Sequence, residues 1–564
     1  MTENKYIMSR IPARWIALFM LFFFSGLING QKSEDRYNRL FKDQVKVSGE
    51  IKGVLDGLEG NPDTRVGGDK IHNIEYITNL YQQAGFQPFW AKAEYVENAI
   101  RGIMQSYDDG LLPGDYHLDA ILEMKEQLTS GGQVSADENP KAGELDVLLT
   151  DGVLLYAYHL LYGKADQSTL VPTWNFEYAP IPDLNHKSFR ESIEALEIPA
   201  RLAELRPDMF LYVTLVATLA RYRQFQSAGG WVSIQPGGKI EPGDTDERIP
   251  QVRHRLHLTG ELTEPDSIRS KVYDIALEND VKKFQSLHGL DSDGIIGAGT
   301  FRELGKPVED RIEAIRVNLE RIRWVANGIP QNYLIVNIAA FTLILVKEGS
   351  EIHTARVVVG KTLNKTPIFK DKLRYIEFNP TWTVPTSIKN KEVIHHLKKD
   401  STYLDKNHMV LLDSKGNEVS IKDVDLKKIA PGNFPYMVRQ QPGPWNSLGV
   451  VKFMFPNEYD IYLHDTPSKS LFSKASRAYS HGCIRVDKPL DLAEVLLEGT
   501  EWNRNKIDKT IETRETTRVI VDPRLDVLLM YWTCGLTSSR EIFFVPDIYE
   551  RDKDVLRELD RSLH

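Results

Sequence analysis

The texture of the chain changes once. As far as "RIEAIRVNLERIRWV", Arg311 to Val325, apolar residues recur at helical spacing; from "YLIVNI", Tyr333 to Ile338, they arrive as β-branched and aromatic runs. A pattern of helical period cannot settle as a strand, so the two parts must build different layers. At 564 residues the chain is also too long for one hydrophobic core. The expected fold class is therefore multidomain α+β: a mainly helical scaffold and a small helical module, followed by an all-β, sandwich- or barrel-like domain with an inserted cap.

Within the helical part, "ELDVLLTDGVLLYAYHLLYGK" is apolar nearly all round, as a helix inside a bundle is. Asp146 and Asp151 interrupt it and argue against a membrane span. The Gly-, Pro- and acid-rich stretch from Gly230 to Asp246 reads as a domain boundary, which gives a scaffold over 31–230. Beyond it, Leu277, Val281, Phe284 and Leu287 fall on one helix face, and His288 and Gly289 end the helix. "DGIIGAGT" lacks the preceding strand and the lysine of a phosphate loop. "DSDG" is not a calcium loop, because Arg302 stands at the twelfth position.

The stretch Asn279 to Leu304 resembles the peptidoglycan-binding type 1 module, whose helix reads Val-Lys-x-Phe-Gln-x-x-His-Gly-Leu before Asp-Gly-x-x-Gly-x-x-Thr. That resemblance implies a wall-binding module over 231–306, followed by a connecting helix over 307–330. In the β part, Glu348 and Gly349 mark a hairpin turn. A charged, more helical insert over about 390–445 separates the first strands from "VVKFMFPN" and "YDIYLHD". The β domain is read over 331–502, with further strands over 503–564 completing it. His395 and His396 in the insert read as a solvated helix face.

Arg10 and Arg14 precede the apolar "WIALFMLFFFSGL" and then a polar start, the layout of a secretory signal peptide over 1–30 or of an uncleaved inner-membrane anchor. An exported, periplasmic protein is expected. Mean hydropathy of −0.34 argues against a polytopic membrane protein. The net charge of −9 gives no basic footprint, so no nucleic-acid partner is expected. Of the two cysteines, Cys534 lies in the apolar "VLLMYWTCG" and reads as core.

Cys483 stands in "YSHGCIRVDKP". A cysteine nucleophile needs a base and donors for the developing oxyanion. His481 lies two residues before it, and His464 lies nineteen before, at the end of "DIYLHD". A strand, a loop and a return to a neighbouring strand would bring His464 beside the thiol. Gly482 lets main-chain N–H groups approach a carbonyl, so the amide of Gly482 or of Cys483 is the candidate oxyanion donor. Arg485 shares the strand face of Cys483 and suits a carboxylate. Ser480 either orients an imidazole or closes the turn.

With fifteen residues between His464 and "SHGCIR", the pattern resembles the signature of the L,D-transpeptidases of the YkuD type. "VVVGKTLNKTPIF", "FNPTWTVP" and "GPWNSLGVVKFMFPNEYDIYLHDTPS" are similar to the multidomain YcbB-like branch. The resemblance implies a cysteine-dependent transpeptidase with no metal or organic cofactor. Cys483 would attack the bond to the D-Ala at position four of a peptidoglycan tetrapeptide stem, with His464 as general base. His481 and the backbone of Gly482 and Cys483 would line the oxyanion region, and Tyr462 and Trp382 the substrate groove. A second stem would be the acceptor, giving a 3→3 cross-link; water or a D-amino acid would give a carboxypeptidase or an exchange enzyme. Partners implied are the stems themselves and proteins of wall synthesis or hydrolysis. Asp465, next to His464, has no assigned role.

Three other readings compete. A zinc site from His464, Asp465, His481 and Cys483 is possible by ligand type but lacks the usual short spacings. A serine transpeptidase lacks Ser-x-x-Lys. A non-catalytic wall-binding scaffold would use the 231–306 module alone.

Overall fold

The computed structural model describes residues 30–130, 138–177, 185–235, 237–425 and 432–563. The segment expected to direct export lies outside them as far as residue 29. A helical part comes first and a β-rich part follows, in the order the texture change predicts.

The long apolar segment is a 25-residue helix, Glu138–Tyr162. Among the described residues it is the one helix long and apolar enough to cross a membrane, and 83% of its most apolar window is buried inside the protein. Its two buried aspartates are hydrogen-bonded. Asp146 accepts from the Phe89 N–H (3.0 Å), the Trp90 N–H (2.9 Å) and the Tyr81 hydroxyl (2.6 Å). Asp151 shares a 2.8 Å hydrogen bond with His117 Nε2. A buried charge persists when its lone pairs are satisfied, which these contacts do. Helices Gln44–Gly60, Ala93–Met104 and Leu118–Thr129 pack around it, with a short hairpin of β1 (Arg65–Val66) and β2 (Asp69–Lys70).

Residues from Ile234 to Leu304 enclose a separate small core. Its helix, Ile275–Leu287, starts where the Asp274 side chain accepts from the Leu277 N–H at 2.9 Å, and the four predicted face residues are all buried. This unit leans on the β-rich part through a Lys283–Glu541 ion pair (2.6 Å) and a hydrogen bond from the Ala475 N–H to Asp291 (2.9 Å).

Helix Val308–Ala326 joins the parts and is buried on nearly every side, charges included. Arg323 donates to the Asp109 carbonyl (3.0 Å) and the Tyr212 hydroxyl (2.9 Å) in the helical part. Asn318 exchanges hydrogen bonds with Thr533 (2.9 and 3.0 Å), and Arg321 meets Asp552 at 2.6 Å, both in the β-rich part.

The β-rich part opens with β3 (Tyr333–Asn337), β4 (Thr342–Lys347), β5 (Ser350–Gly360) and β6 (Phe369–Phe378). The expected turn joins β4 to β5, with Glu348 and Gly349 both at positive φ. A cap sheet follows, of β7 (Trp382–Thr383), β8 (Met409–Leu412), β9 (Glu418–Val419) and β10 (Met437–Gln440). The main sheet resumes with β11 (Val451–Met454), β12 (Leu463–His464), β13 (Ala478–Ser480), β14 (Ile484–Val486) and β15 (Thr517–Met530), and β16 (Cys534–Leu536) and β17 (Ile542–Phe544) form a last hairpin. Around the main sheet the order is β5-β14-β12-β11-β6-β15-β3-β4, and β4 pairs back onto β5. The sheet is therefore a closed ring with β13 added beside β5, and closure leaves no open edge in the ring itself.

Two expectations need correction. The β-rich part is not all-β, because it contains helices Pro489–Leu496, Arg504–Thr513 and Asp552–Asp560, two of them within the span read as strands; the second packs on β6 and the third on helix Val308–Ala326. Asn503 caps the second, its side chain accepting from the Lys506 N–H at 3.1 Å. The insert, read as helical from about 390, does carry helical segments over 386–399 and Tyr403–Lys406, but it begins at Trp382 and also contains a four-stranded sheet with its own apolar core around Leu397, Leu411 and Val438. Strands of two to four residues are too short to show alternation. His395 and His396 are exposed, as expected.

The stems of the cap are tied together by Asn446, which is fully buried and donates to the Pro380 and Gln441 carbonyls at 3.1 and 3.0 Å. Replacing Asn446 by Ala strands those carbonyls at a cost of about 1–3 kcal/mol. Amide exchange across residues 382–425 and 432–440 is expected to accelerate while the ring strands keep their protection; equal acceleration in both would contradict this role.

Candidate active site

Strands β12 and β14 run parallel, with Leu463 opposite Ile484 and His464 opposite Arg485. Leu463 and Ile484 are fully buried in the ring core. Side chains alternate along a strand, so the residues on either side of that pair, Tyr462 and His464 on one chain segment and Cys483 and Arg485 on the other, share the opposite face. The Ile484 N–H donates to the Tyr462 carbonyl at 3.1 Å and fixes this register.

The same face continues sideways. Lys452 on β11 stands opposite His464, Glu377 on β6 opposite Lys452, and Arg518 on β15 opposite Glu377. One step along runs a second row, Cys483, Tyr462, Met454, Tyr375 and Ile520, while Val519, Ile376, Phe453, Leu463 and Ile484 between the rows point into the core. The thiol thus lies at one end of a polar-and-aromatic platform across five strands.

The turn carrying Cys483 is held by hydrogen bonds. Ser480 Oγ donates to the Cys483 carbonyl (2.6 Å) and accepts from the Gly482 N–H (3.1 Å), so of its two readings the turn-closing one is realised. The Gly482 N–H is thereby committed, which removes it as an oxyanion donor and leaves the Cys483 N–H. Gly482 has φ +125, a conformation that favours glycine. Thr366 Oγ1 donates to the Gly482 carbonyl (2.8 Å) and accepts from the Gly360 N–H (2.9 Å). The Tyr549 hydroxyl in turn accepts from the Thr366 N–H at 3.1 Å and donates to the Gly360 carbonyl.

Cys483 is a free, partly buried thiol whose Sγ donates to the Asp460 carbonyl at 3.5 Å. Burial pushes the thiol up, while the main-chain N–H and hydroxyl of Tyr462 and the Lys452 ammonium pull it back. His464 is 4% exposed, and its Nδ1 is bonded to the Asp465 carbonyl, which turns Nε2 outward as an acceptor. Burial, then the Arg485 charge, lowers His464 to about 3. The resting pair is therefore neutral imidazole and neutral thiol rather than a thiolate beside an imidazolium. Tyr462 neighbours both, its ring 5.7 Å from that of His464 and its hydroxyl in hydrogen-bonding reach of the thiol.

The other expected residues disperse. His481 is half exposed and turns to the cap, its Nε2 3.4 Å from Glu392 Oε1, so it does not line the oxyanion region. The Asp465 carboxylate pairs with Lys469 and accepts from the Val450 N–H at 3.0 Å, and only its carbonyl reaches His464. Trp382 pairs with Gln440 on the cap sheet and packs against the cap core. The four side chains weighed as a zinc set thus face separate partners. Cys534 is fully buried and unpaired, as read. Lys452, Thr366 and Tyr549 went unnoticed in the sequence; only the alternation in "VVKFMF" carried a signal, and it pointed to Lys452.

Residues 331–521 match the family model described as the L,D-transpeptidase catalytic domain, and residues 75–219 match a model described as a scaffold domain. A curated Haemophilus influenzae protein named "Putative L,D-transpeptidase" is 32% identical over 243 residues, 43% of this chain and 49% of its own length. The chain thus spans about half the length of that relative. Two solved structures are also similar. An L,D-transpeptidase from Xylanimonas cellulosilytica shares 13% identity at TM-score 0.16, over 52% of this chain and 98% of its own. A fused Zn-dependent amidase/peptidase/peptidoglycan-binding domain-containing protein from Clostridium acetobutylicum shares 11% at TM-score 0.14, over 52% of this chain and all of its own.

Because the Tyr462 hydroxyl favours the thiolate, Tyr462→Phe is expected to move the pH midpoint of Cys483 alkylation up by about one unit, the worth of one hydrogen bond to a charged group. Alkylation rates with iodoacetamide across pH measure this. A midpoint that stays put or falls would remove Tyr462 from the control of the thiol.

Proposed function

With residues 331–521 as an L,D-transpeptidase catalytic domain, we propose that the chain is a cysteine L,D-transpeptidase that joins peptidoglycan stems. Cys483 Sγ attacks the carbonyl between the L-centre third residue and the D-Ala at position four of a tetrapeptide stem. The S–C bond forms, the C–N bond breaks, and the thiol proton passes by way of His464 Nε2 to the departing D-Ala amine. The side-chain amine of a second stem's diamino acid then attacks the thioester; its N–C bond forms, the C–S bond breaks, and the amine's proton returns to sulfur through the same imidazole. The product is a 3→3 cross-link. The observation that carries this reading is the shared face of Tyr462, His464, Cys483 and Arg485 across the parallel strands.

A neutral His464 suits a base that must accept a proton from a neutral thiol, and the free Cys483 N–H is the donor for the oxyanion. The unit over 234–304 supplies wall binding in this proposal, and export to the periplasm places the enzyme with its substrate. Water or a free D-amino acid as acceptor would turn the same thioester to hydrolysis or exchange.

The proposal is tested by intact mass after exposure to a carbapenem, whose lactam carbonyl is an acylating mimic of the donor. One covalent adduct is expected on the native protein and none on Cys483→Ala. Cross-link analysis of sacculi incubated with each protein should show new 3→3 links only with the native chain. An adduct on Cys483→Ala, or cross-linking by it, would overturn the assignment.

A further inference from the structure

Lys452 and Arg485 flank His464 in the transverse row, on the face that carries the thiol. Both are partly buried, and among the described residues neither makes an ion pair or a side-chain hydrogen bond. The nearest acid in the row, Glu377, is engaged by Arg518 at 3.3 Å. The Lys452 ammonium instead sits 4.0 Å from the centre of the Tyr462 ring, drawn toward the nucleophile. Arg485 Nε is buried without a partner. Glu377 and Asp460 act on Lys452 only through space; two cations partly withdrawn from water with no directly bonded anion are costly, and their side chains can converge from strands two places apart, roughly 10 Å at the backbone. What they lack is an anion held beside the thiol.

We propose that Lys452, together with Arg485, forms a carboxylate-binding subsite next to Cys483, which selects a donor by a free carboxylate near the bond being cut. This rests on the reading of Cys483 as the acylated nucleophile. Two carboxylates of a stem have the required chemistry: the C-terminal one of the leaving D-residue, and one carried by the third residue. Lys452 is a binding residue in this scheme; it touches substrate and takes no part in proton transfer.

The test separates carboxylate binding from simple support of the thiolate. Alkylation of Cys483 by iodoacetate and by iodoacetamide is followed by intact mass at one pH, and the ratio of the two rates is compared with that for N-acetylcysteine. Support of the thiolate changes both rates together, whereas a carboxylate subsite raises the ratio. The native protein is expected to show a ratio about tenfold above the free thiol, the scale of one charge-assisted hydrogen bond. Lys452→Met and Arg485→Met should each bring it several-fold toward the free-thiol value, and Lys452→Arg should retain it, with circular dichroism confirming that each variant folds. Donor tetrapeptides amidated at the C-terminus or at the third residue then identify the carboxylate: the one whose amidation raises KM in the native enzyme but not in Lys452→Met is the one held. A native ratio equal to that of the free thiol, or a ratio unchanged in folded Lys452→Met, overturns the subsite. Turnover by Cys483→Ala would instead overturn the nucleophile assignment, and the alkylation ratio is read independently of it.

Discussion

The site depends on one pairing, Leu463 against Ile484 on two parallel strands. Both side chains are fully buried, each contributing about 1.5–3 kcal/mol by leaving water. A slip of one residue would turn Tyr462, His464, Cys483 and Arg485 into the ring core and expose the two aliphatic side chains. The hydrophobic effect thus sets the direction in which the nucleophile points, and the eighteen residues between His464 and Cys483 provide the loop and the return that a parallel neighbour requires.

Electrostatics around the thiol work against charge at rest. Burial raises Cys483 and lowers His464, and the two nearest cations bear on both. A thiolate–imidazolium pair would hold three positive groups on one patch of sheet, whereas neutral partners leave the cations available to a substrate. Reactivity then arises as the substrate excludes water and supplies negative charge, which is where preorganised donors act most strongly. The nucleophile turn is correspondingly stiff: Ser480 and Thr366 bind both polar groups of Gly482, and Tyr549 anchors Thr366 from near the end of the chain.

The change of texture near Tyr333, the buried helix over Glu138–Tyr162 and the face of Leu277, Val281, Phe284 and Leu287 were legible because period and burial are local properties of a segment. His464 and Cys483 were legible through residue type and spacing. The direction of His481 was not, because it is set by Glu392, which lies far away in the chain on the helical segment Lys389–Val393 of the cap. Gly482 illustrates a different limit. Its lack of a Cβ was correctly read as permitting an unusual turn, yet the same turn hands its N–H to Ser480. Lys452, Thr366 and Tyr549 come to the site through strand pairing and long-range hydrogen bonds, and apart from the alternation around Lys452 nothing in their immediate neighbours announces that.

Helix Val308–Ala326 makes the borders visible in the sequence poor places to divide the molecule. A fragment opened at residue 331 would leave Thr533 and Asp552 without Asn318 and Arg321. A fragment that retained the helix but lacked the segment before it would bare Arg323, whose partners include Asp109 and Tyr212. The ring and the bundle are therefore co-dependent bodies sharing one spine, and an autonomous catalytic core would need a redesigned exterior for that spine rather than a well-chosen cut.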